Sequence, residues 1–189
     1  MDDLPVELLH EMAYDRPTYR ALLTIKRFAK SLTPSTRCDY MIRFGYRVEI
    51  THSKITWYIN GKRHRTDGPA TIYANGLQMW YIDGKCHRTD GPAIIYADGS
   101  QRWYNNDKLH RTDGPAFIDA DGSQYWYIDD KRHRTDGPAI VDADGSQYWF
   151  VDDKLHRTDG PAFILADGSQ AWYVNDNRVT EQEFNNLKS

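Results

Sequence analysis

A histidine, an arginine and an aspartate recur together in this chain, a combination that could bind a metal ion or move a proton. They belong to the segment HRTDGPA, which is present in five identical copies spaced 23 residues apart. Imidazole and carboxylate groups are common zinc ligands and the usual acids and bases of enzymes. The copies begin at His64, His87, His110, His133 and His156.

The spacing of the copies argues against both kinds of chemistry. If each repeat is a pair of strands about 4.8 Å apart, equivalent residues of consecutive repeats lie about 10 Å apart. Two histidines of this column then cannot share a metal ion, whose ligand bonds are about 2 Å long. Five identical sites also differ from the single concave pocket that catalysis requires. We therefore predict no enzyme activity, no catalytic residue, no cofactor and no metal site.

The alternative is that the signature holds the repeats together. On this interpretation Asp67 and its equivalents cap turn N–H groups, while His64 and Arg65 and their equivalents bond across neighbouring repeats. The Asp-Gly turns lack the spaced acidic residues of a calcium loop, so turn formation explains them. A tryptophan in every repeat could form a stacking platform for bases or sugars, but core packing is the favoured role. The tryptophans follow the same period: Trp57, Trp80, Trp103, Trp126, Trp149 and Trp172.

Between two signatures the sequence predicts two short strands and two tight turns. Residues 115–120 are mostly apolar, and Asp121-Gly122 then predicts a type I′ hairpin turn with positive φ at both centres. Residues 124–128 form the return strand, and residues 129–131 form the second turn. Because units with a fixed period near 20 residues stack on their neighbours, we expect one elongated, single-layer antiparallel meander of β-hairpin repeats.

Side chains alternate between the two faces of a strand, which separates a uniform set from a variable one. Ala116, Ile118 and Ala120 represent the uniform set, which we expect to pack together with the tryptophans. The variable set should face solvent or a partner; alternatively its members pack on each other as cross-strand pairs. The partner-binding candidates are Phe117, Asp119, Tyr125, Ile140, Asp142, Tyr148 and Phe163, beside Met79, Arg102 and Leu165.

Composition narrows the class of protein. The net charge is −3, and residues 51–189 carry 16 basic and 20 acidic side chains, which argues against a nucleic-acid partner. Two cysteines, Cys38 and Cys86, predict neither a disulfide framework nor a cysteine zinc site. No apolar run reaches 18 residues, and the acidic start MDDLP does not resemble a signal peptide. These features favour an intracellular protein for which a membrane role is not expected.

The two ends of the chain do not follow the repeat period. We expect residues 1–36 to be helical, residues 37–178 to form the repeat array, and residues 179–189 to form a C-terminal capping helix. Within the array, residues 39–50 alternate at period 2 and predict one half-buried strand. Thr180 and Glu183 predict a capping box for the final helix, with Phe184 and Leu187 covering the last hairpin. Because thirty residues bury too little surface for their own core, the first segment should cap the array or bind a partner.

Residues 4–31, LPVELLHEMAYDRPTYRALLTIKRFAKS, resemble an F-box. In that family the apolar face docks on the Skp adaptor of cullin–RING ubiquitin ligases. The resemblance implies a Skp-type protein partner for this segment. The adaptor-binding residues that it implies are Leu4, Pro5, Leu8, Leu9, Met12, Leu22 and Leu23.

The repeats, with their WY pair, turn glycines and HRTDGPA segment, resemble divergent MORN repeats over residues 55–177. An F-box-like start followed by such repeats is similar to proteins of large double-stranded DNA viruses, marseillevirus-like ones in particular. The resemblance implies a protein-binding adaptor in the host cytoplasm that recruits targets to a ubiquitin ligase. The alternative is a structural or scaffold repeat protein, in a virion or at a membrane, whose N-terminal helices only cap the array.

Overall fold

The computed structural model describes residues 38–42 and 46–187. It confirms the predicted fold class, since these residues form a long antiparallel meander of sequential hairpins with one short helix. Contacts within the chain divide it into two compact units. The first contains the described residues up to Arg88 together with residues 93–97, and the second contains residues 89–92 and those from 98 onward.

The first unit contains nine strands. Its main sheet has the antiparallel order β1-β2-β3-β5-β6-β9, with β4 beside β3, while β7 and β8 form a separate hairpin. The strands are β1 (Cys38–Ile42), β2 (Tyr46–Ile50), β3 (Lys54–Ile59), β4 (Lys62–Arg63), β5 (Thr71–Tyr73), β6 (Gln78–Met79), β7 (Tyr81–Ile82), β8 (Lys85–Cys86) and β9 (Ile94–Ile95).

The prediction of one strand over residues 39–50 was wrong. The segment folds back on itself, and β1 pairs antiparallel with β2 from Cys38 opposite Ile50 to Ile42 opposite Tyr46. Alternation of apolar residues at period 2 is the same for one long strand and for two strands in a hairpin, so the pattern could not separate them.

The second unit contains fourteen strands and a helix. Its main sheet runs β10-β13-β14-β17-β18-β21-β22-β23, and β11-β12, β15-β16 and β19-β20 are separate hairpins. The elements are β10 (Gln101–Arg102), β11 (Tyr104–Asn105), β12 (Lys108–Leu109), β13 (Phe117–Ile118), β14 (Gln124–Tyr125), β15 (Tyr127–Ile128), β16 (Lys131–Arg132), β17 (Ile140–Val141), β18 (Gln147–Tyr148), β19 (Phe150–Val151), β20 (Lys154–Leu155), β21 (Phe163–Ile164), β22 (Gln170–Val174), β23 (Asn177–Val179) and α1 (Glu181–Asn186).

The predicted return strand is divided at Trp80, Trp103, Trp126 and Trp149 because the backbone changes partner there, whereas β3 and β22 continue through Trp57 and Trp172. Trp126 donates its N–H to the carbonyl of Ala139 in the next repeat at 2.8 Å. Its own carbonyl accepts from the N–H of His133 in the same repeat at 3.1 Å. One half of the strand therefore belongs to the main sheet and the other half to a local hairpin.

The type I′ turn was assigned to the wrong end of the hairpin. At Asp121-Gly122 only the glycine has positive φ, 93°. The Gly122 N–H donates to the backbone carbonyl of Asp119, and the Asp119 N–H donates to the backbone carbonyl of Ser123. This is the pattern of a type I turn followed by a G1 bulge. The type I′ turn is instead at Asp129-Asp130, whose φ values are 49° and 68°.

Only part of the predicted uniform face is buried. The alanines that end each signature are fully buried: Ala70, Ala93, Ala116, Ala139 and Ala162 are all at 0% exposure. The second alanine column was expected to pack, but Ala120 and its equivalents from Ala97 on lie exposed in the G1 turns. Ile118 is half-buried, whereas its first-unit equivalent Ile72 is buried.

The C-terminal capping box is confirmed. Thr180 accepts from the Glu183 N–H, and the Glu183 carboxylate accepts from the Thr180 N–H, at the start of α1. Phe184 is 3% exposed, as expected for a residue that covers the last hairpin. Leu187 does not share that role, because it is 68% exposed.

Candidate functional site

The arginine of each signature lies over the tryptophan ring of its own repeat. The guanidinium carbon of Arg134 is 4.1 Å from the centre of the Trp126 ring, a distance at which a cation is attracted to the ring. The same pair recurs at Arg65–Trp57 (4.3 Å), Arg88–Trp80 (4.1 Å), Arg111–Trp103 (4.2 Å) and Arg157–Trp149 (3.9 Å). The arginine thus covers an indole that a thin sheet would leave open.

The aspartate of the signature fixes that arginine and also accepts a hydrogen bond from its own backbone N–H. Arg134 Nε donates to Asp136 Oδ1 at 2.8 Å, and Arg134 Nη1 donates to the Pro138 carbonyl at 3.3 Å. The hydrogen bond and the charge of Arg134 lower the pKa of Asp136 below its usual value. Two residues of the signature, Asp136 and Pro138, therefore hold the guanidinium of Arg134 in place.

The signature glycine is explained by space. A Cβ on Gly137 would lie 2.9 Å from Cζ of Arg134, and one on Gly114 would lie 3.0 Å from Cζ of Arg111. Neither glycine is among those with positive φ. The backbone therefore needs glycine because the guanidinium passes against it.

The histidine bonds to the next repeat, as expected. The Nδ1 atom of His110 lies 3.3 Å from the N–H of Asp129 and 3.1 Å from its carboxylate, 19 residues away. Neutral imidazole accepts the N–H at Nδ1, whereas the charged ring donates to the carboxylate. The same arrangement occurs at His133 with Asp152. These histidines therefore link each repeat to the next by hydrogen bonds.

Taken together, the signature has a structural explanation in which arginine, aspartate, glycine, histidine and alanine each have a defined contact. Its threonine and its aspartate are exposed in all five copies. Within residues 38–42 and 46–187, no group of three or more His, Cys, Asp or Glu side chains is arranged to hold a metal ion.

A different column of the second unit forms a continuous strip of mostly aromatic side chains. We define the aromatic strip as Phe117, Tyr125, Ile140, Tyr148 and Phe163. Each is opposite the next across neighbouring strands of the main sheet. The rings of Phe117 and Tyr125 stack at 5.0 Å, and those of Tyr148 and Phe163 at 5.9 Å.

The strip is half-buried at every position. The stacked rings stabilise the pairing of the strands, by about 0.5–1.5 kcal/mol for each aromatic pair. The remaining surface of each side chain is open to contact. At one end Arg102 is opposite Phe117, and its guanidinium lies 4.5 Å from the centre of that ring.

The two aspartates predicted beside the strip differ in their contacts. Asp119 accepts from the Ser100 hydroxyl at 3.1 Å and from the Ala120 N–H at 2.7 Å, so its carboxylate takes part in the fold. For Asp142, burial and then the charges of Asp144 and Asp121 raise the pKa. Burial and nearby carboxylates likewise raise the pKa of Tyr125 and of Tyr148. The hydroxyls of Tyr125 and Tyr148 therefore lie close to several negatively charged carboxylates.

Two inter-repeat contacts were not predicted from the sequence. The buried Ser123 hydroxyl accepts from the Ala143 N–H at 3.0 Å, a contact repeated by Ser100 with Ala120 and by Ser146 with Ala166. Asp130 Oδ1 accepts from the Leu109 N–H at 2.7 Å in the preceding hairpin. The available signal was the serine that follows the hairpin glycines Gly99, Gly122, Gly145 and Gly168.

The implied adaptor-binding residues, from Leu4 to Leu23, lie outside the described residues. Among the described residues, α1 is too short and too polar to serve as a transmembrane helix. No protein-family model matches the chain, and no curated protein matches it either.

Proposed function

We propose that this is a non-catalytic protein-binding repeat protein whose aromatic strip holds a protein target. The observation that carries the proposal is the strip itself, five half-buried side chains in mutual contact across consecutive strands of one sheet. Aromatic residues at the centre of interfaces usually contribute most of the binding energy. The strip differs from repeat to repeat, whereas the signature that joins the repeats does not.

The second part of the proposal concerns residues 1–36. Their resemblance to an F-box supports an adaptor role, in which Leu4, Leu8, Leu9 and Leu23 bind a Skp-type protein of the host ubiquitin ligase. The repeats would then present the target. The alternative proposal is a structural or scaffold protein in which the same apolar residues only cap the first hairpins.

A pull-down with a purified Skp-type adaptor separates these two proposals. The adaptor role predicts capture by the parent protein and loss of capture in Leu8→Asp. The matched control is Leu187→Asp, which changes an exposed leucine at the other end of the chain and should leave capture unchanged. Failure of the parent protein to bind supports the scaffold alternative.

The role of the aromatic strip is tested by Tyr125→Ser combined with Tyr148→Ser. Target binding should be lost, and because each ring stacks on a phenylalanine the melting point should also fall by a few degrees. The control is Tyr104→Ser combined with Tyr127→Ser, which removes two tyrosines outside the strip. Equal loss of binding in both double variants would contradict the proposal.

The non-catalytic assignment has its own test. His110 and His133 make the same contacts, so His110→Ala and His133→Ala should lower stability by equal amounts. An enzymatic activity lost in only one of them would overturn the assignment.

A further inference from the structure

The turns beside the aromatic strip carry one sign of charge. Each G1 turn reads Asp-Ala-Asp-Gly-Ser at residues 119–123 and 142–146, with no basic residue among them. We define the acidic row as Asp119, Asp121, Asp142 and Asp144. From residue 98 to the end the chain carries 10 basic and 17 acidic side chains, whereas residues 1–97 carry 14 basic and 10 acidic. The acidic charge is therefore concentrated in the half that holds the strip.

The strip and the acidic row lie close enough to interact. Asp119 and Asp142 stand two residues after the strip residues Phe117 and Ile140, in the hairpins whose return strands carry Tyr125 and Tyr148. Burial and then the charges of nearby carboxylates raise the pKa of both tyrosines. An aromatic surface with carboxylates along one side can bind a cation. The faces of the rings and the negative charges of the carboxylates both attract it.

The chain itself shows how a cation fits on this surface. Arg102 lies on β10, opposite the first strip residue Phe117, and its guanidinium is 4.5 Å from the centre of the Phe117 ring. The later positions of the column are Tyr125, Ile140, Tyr148 and Phe163, which supply rings and an aliphatic side chain but no cation. A partner can provide cations at the places where the chain provides none.

The repeat also sets the spacing of those cations. Equivalent positions recur every second strand, which is about 9.6 Å along the strip. A polyproline II segment advances about 9.3 Å for every three residues, so one residue in three would meet each successive repeat. Grooves lined by aromatic residues commonly bind such segments, which lose little conformational entropy on binding.

We propose that the aromatic strip and the acidic row bind an extended, polyproline-like protein segment with an arginine or lysine at every third residue. This inference rests on the protein-binding function proposed above and specifies the class of its partner. The cationic side chains lie on Tyr125 and Tyr148 and pair with the acidic row. The intervening residues contact Ile140 and Phe163.

The test uses three fluorescein-labelled peptides of twelve residues with the full chain, followed by fluorescence polarisation. The first is four repeats of Arg-Pro-Pro, the second has four arginines followed by eight prolines, and the third is four repeats of Ser-Pro-Pro. We expect the first to bind at least tenfold more tightly than either of the others. Raising the salt concentration should weaken its binding, because the ion pairs are screened.

A protein variant distinguishes the surface from general charge attraction. Asp121→Asn with Asp144→Asn keeps the side-chain oxygen that accepts from the Ser123 and Ser146 N–H groups, so the turns are retained. It should bind the first peptide at least tenfold more weakly with an unchanged melting point. The control, Asp113→Asn with Asp136→Asn, removes two carboxylates of the signatures and should keep the affinity within about twofold, the size of change expected for screened surface charges.

Equal binding of the spaced and clustered arginine peptides would overturn the inference, as would equal loss in both double variants. Absence of binding by the spaced peptide would overturn it too. Preferential binding of the uncharged peptide would also overturn it, yet would leave the protein-binding function standing. That function fails separately, if target capture is unaffected by Tyr125→Ser with Tyr148→Ser.

Discussion

The two units carry the same signature but stabilise their hairpins by different means. In the first unit the aliphatic side chains Ile55 and Ile72 are each 1% exposed, and the covered Arg65 is 6% exposed. In the second unit the aliphatic equivalents of Ile72 are half-buried, and the buried side chains are alanines, serines, Phe150 and Phe184. The first unit relies on apolar burial, whereas the second relies on hydrogen bonds between neighbouring repeats.

The turn residues show the same contrast. The second position of the type I′ turn is Gly61 or Gly84 in the first unit and an aspartate in the second. Gly84 donates its N–H to the Arg63 carbonyl, as Asp130 does to Leu109. Asp130 also accepts the Leu109 N–H at its carboxylate, a contact that a glycine cannot make. An aspartate at positive φ is strained, and the added hydrogen bond offsets that strain.

The largest expected difference between the units is in apolar burial. Ile72→Ala should lower the free energy of unfolding by about 2–5 kcal/mol, the usual range for a fully buried isoleucine. Ile118→Ala removes the same atoms from a half-buried site and should cost less than half as much. Urea unfolding of both variants measures the contrast. Similar losses would mean that the two units do not differ in this way.

A smaller effect is expected from the serine contacts of the second unit. Ser123→Ala should lower stability by about 1 kcal/mol, because the Ala143 N–H loses its acceptor but can reach water. The amide of Ala143 should also exchange its hydrogen faster. The control is Ser169→Ala, since Ser169 is exposed and follows the last signature. If both variants exchange alike at Ala143, the serine contact does not contribute to the joint.

Exchanging the turn residues should produce a still smaller net effect. Asp130→Gly relieves backbone strain and loses one hydrogen bond, so stability should change by less than about 1 kcal/mol. Gly84→Asp is the reverse change, and a Cβ there would meet only Lys62 at an ordinary 3.6 Å. It should slow hydrogen exchange at the Arg63 amide. Unchanged exchange at that amide would show that the carboxylate contact cannot be transferred.

The smallest effect concerns pH. The pKa of Asp142 is raised by burial and by neighbouring carboxylates, so its contribution favours the fold below pH 4 and is lost as the pH rises above it. Asp142→Asn should therefore raise the melting point slightly at pH 7. The pKa of Asp113 is lowered by Arg111, so its contribution is present above pH 4 and is lost on acidification. Asp113→Asn should lower the melting point at pH 7, and changes of the same sign would refute this assignment.

The sequence was sufficient to predict the fold class because its repeat indicates the turn positions and the burial of the signature alanines. Details that depend on backbone geometry could not be predicted from the sequence. Asp-Gly occurs in both turn types, so Asp121-Gly122 was given the conformation that belongs to Asp129-Asp130. The role of Asp136 was missed because a neighbour two residues away gives no periodic signal. The aromatic strip was found as a column, but its half-burial depends on stacking with opposite strands.

The joints between repeats of the second unit have a consequence for how such a chain can change in length. The contacts of the signature histidine, the serine and the turn aspartate each link a residue to one 19 to 21 positions away. If a block of 23 residues were inserted or deleted, each of these donors would therefore still lie opposite an equivalent acceptor in the neighbouring repeat. Gene duplication or loss of whole repeats can lengthen or shorten the strip without a new kind of contact, and the number of repeats becomes a heritable variable of its own.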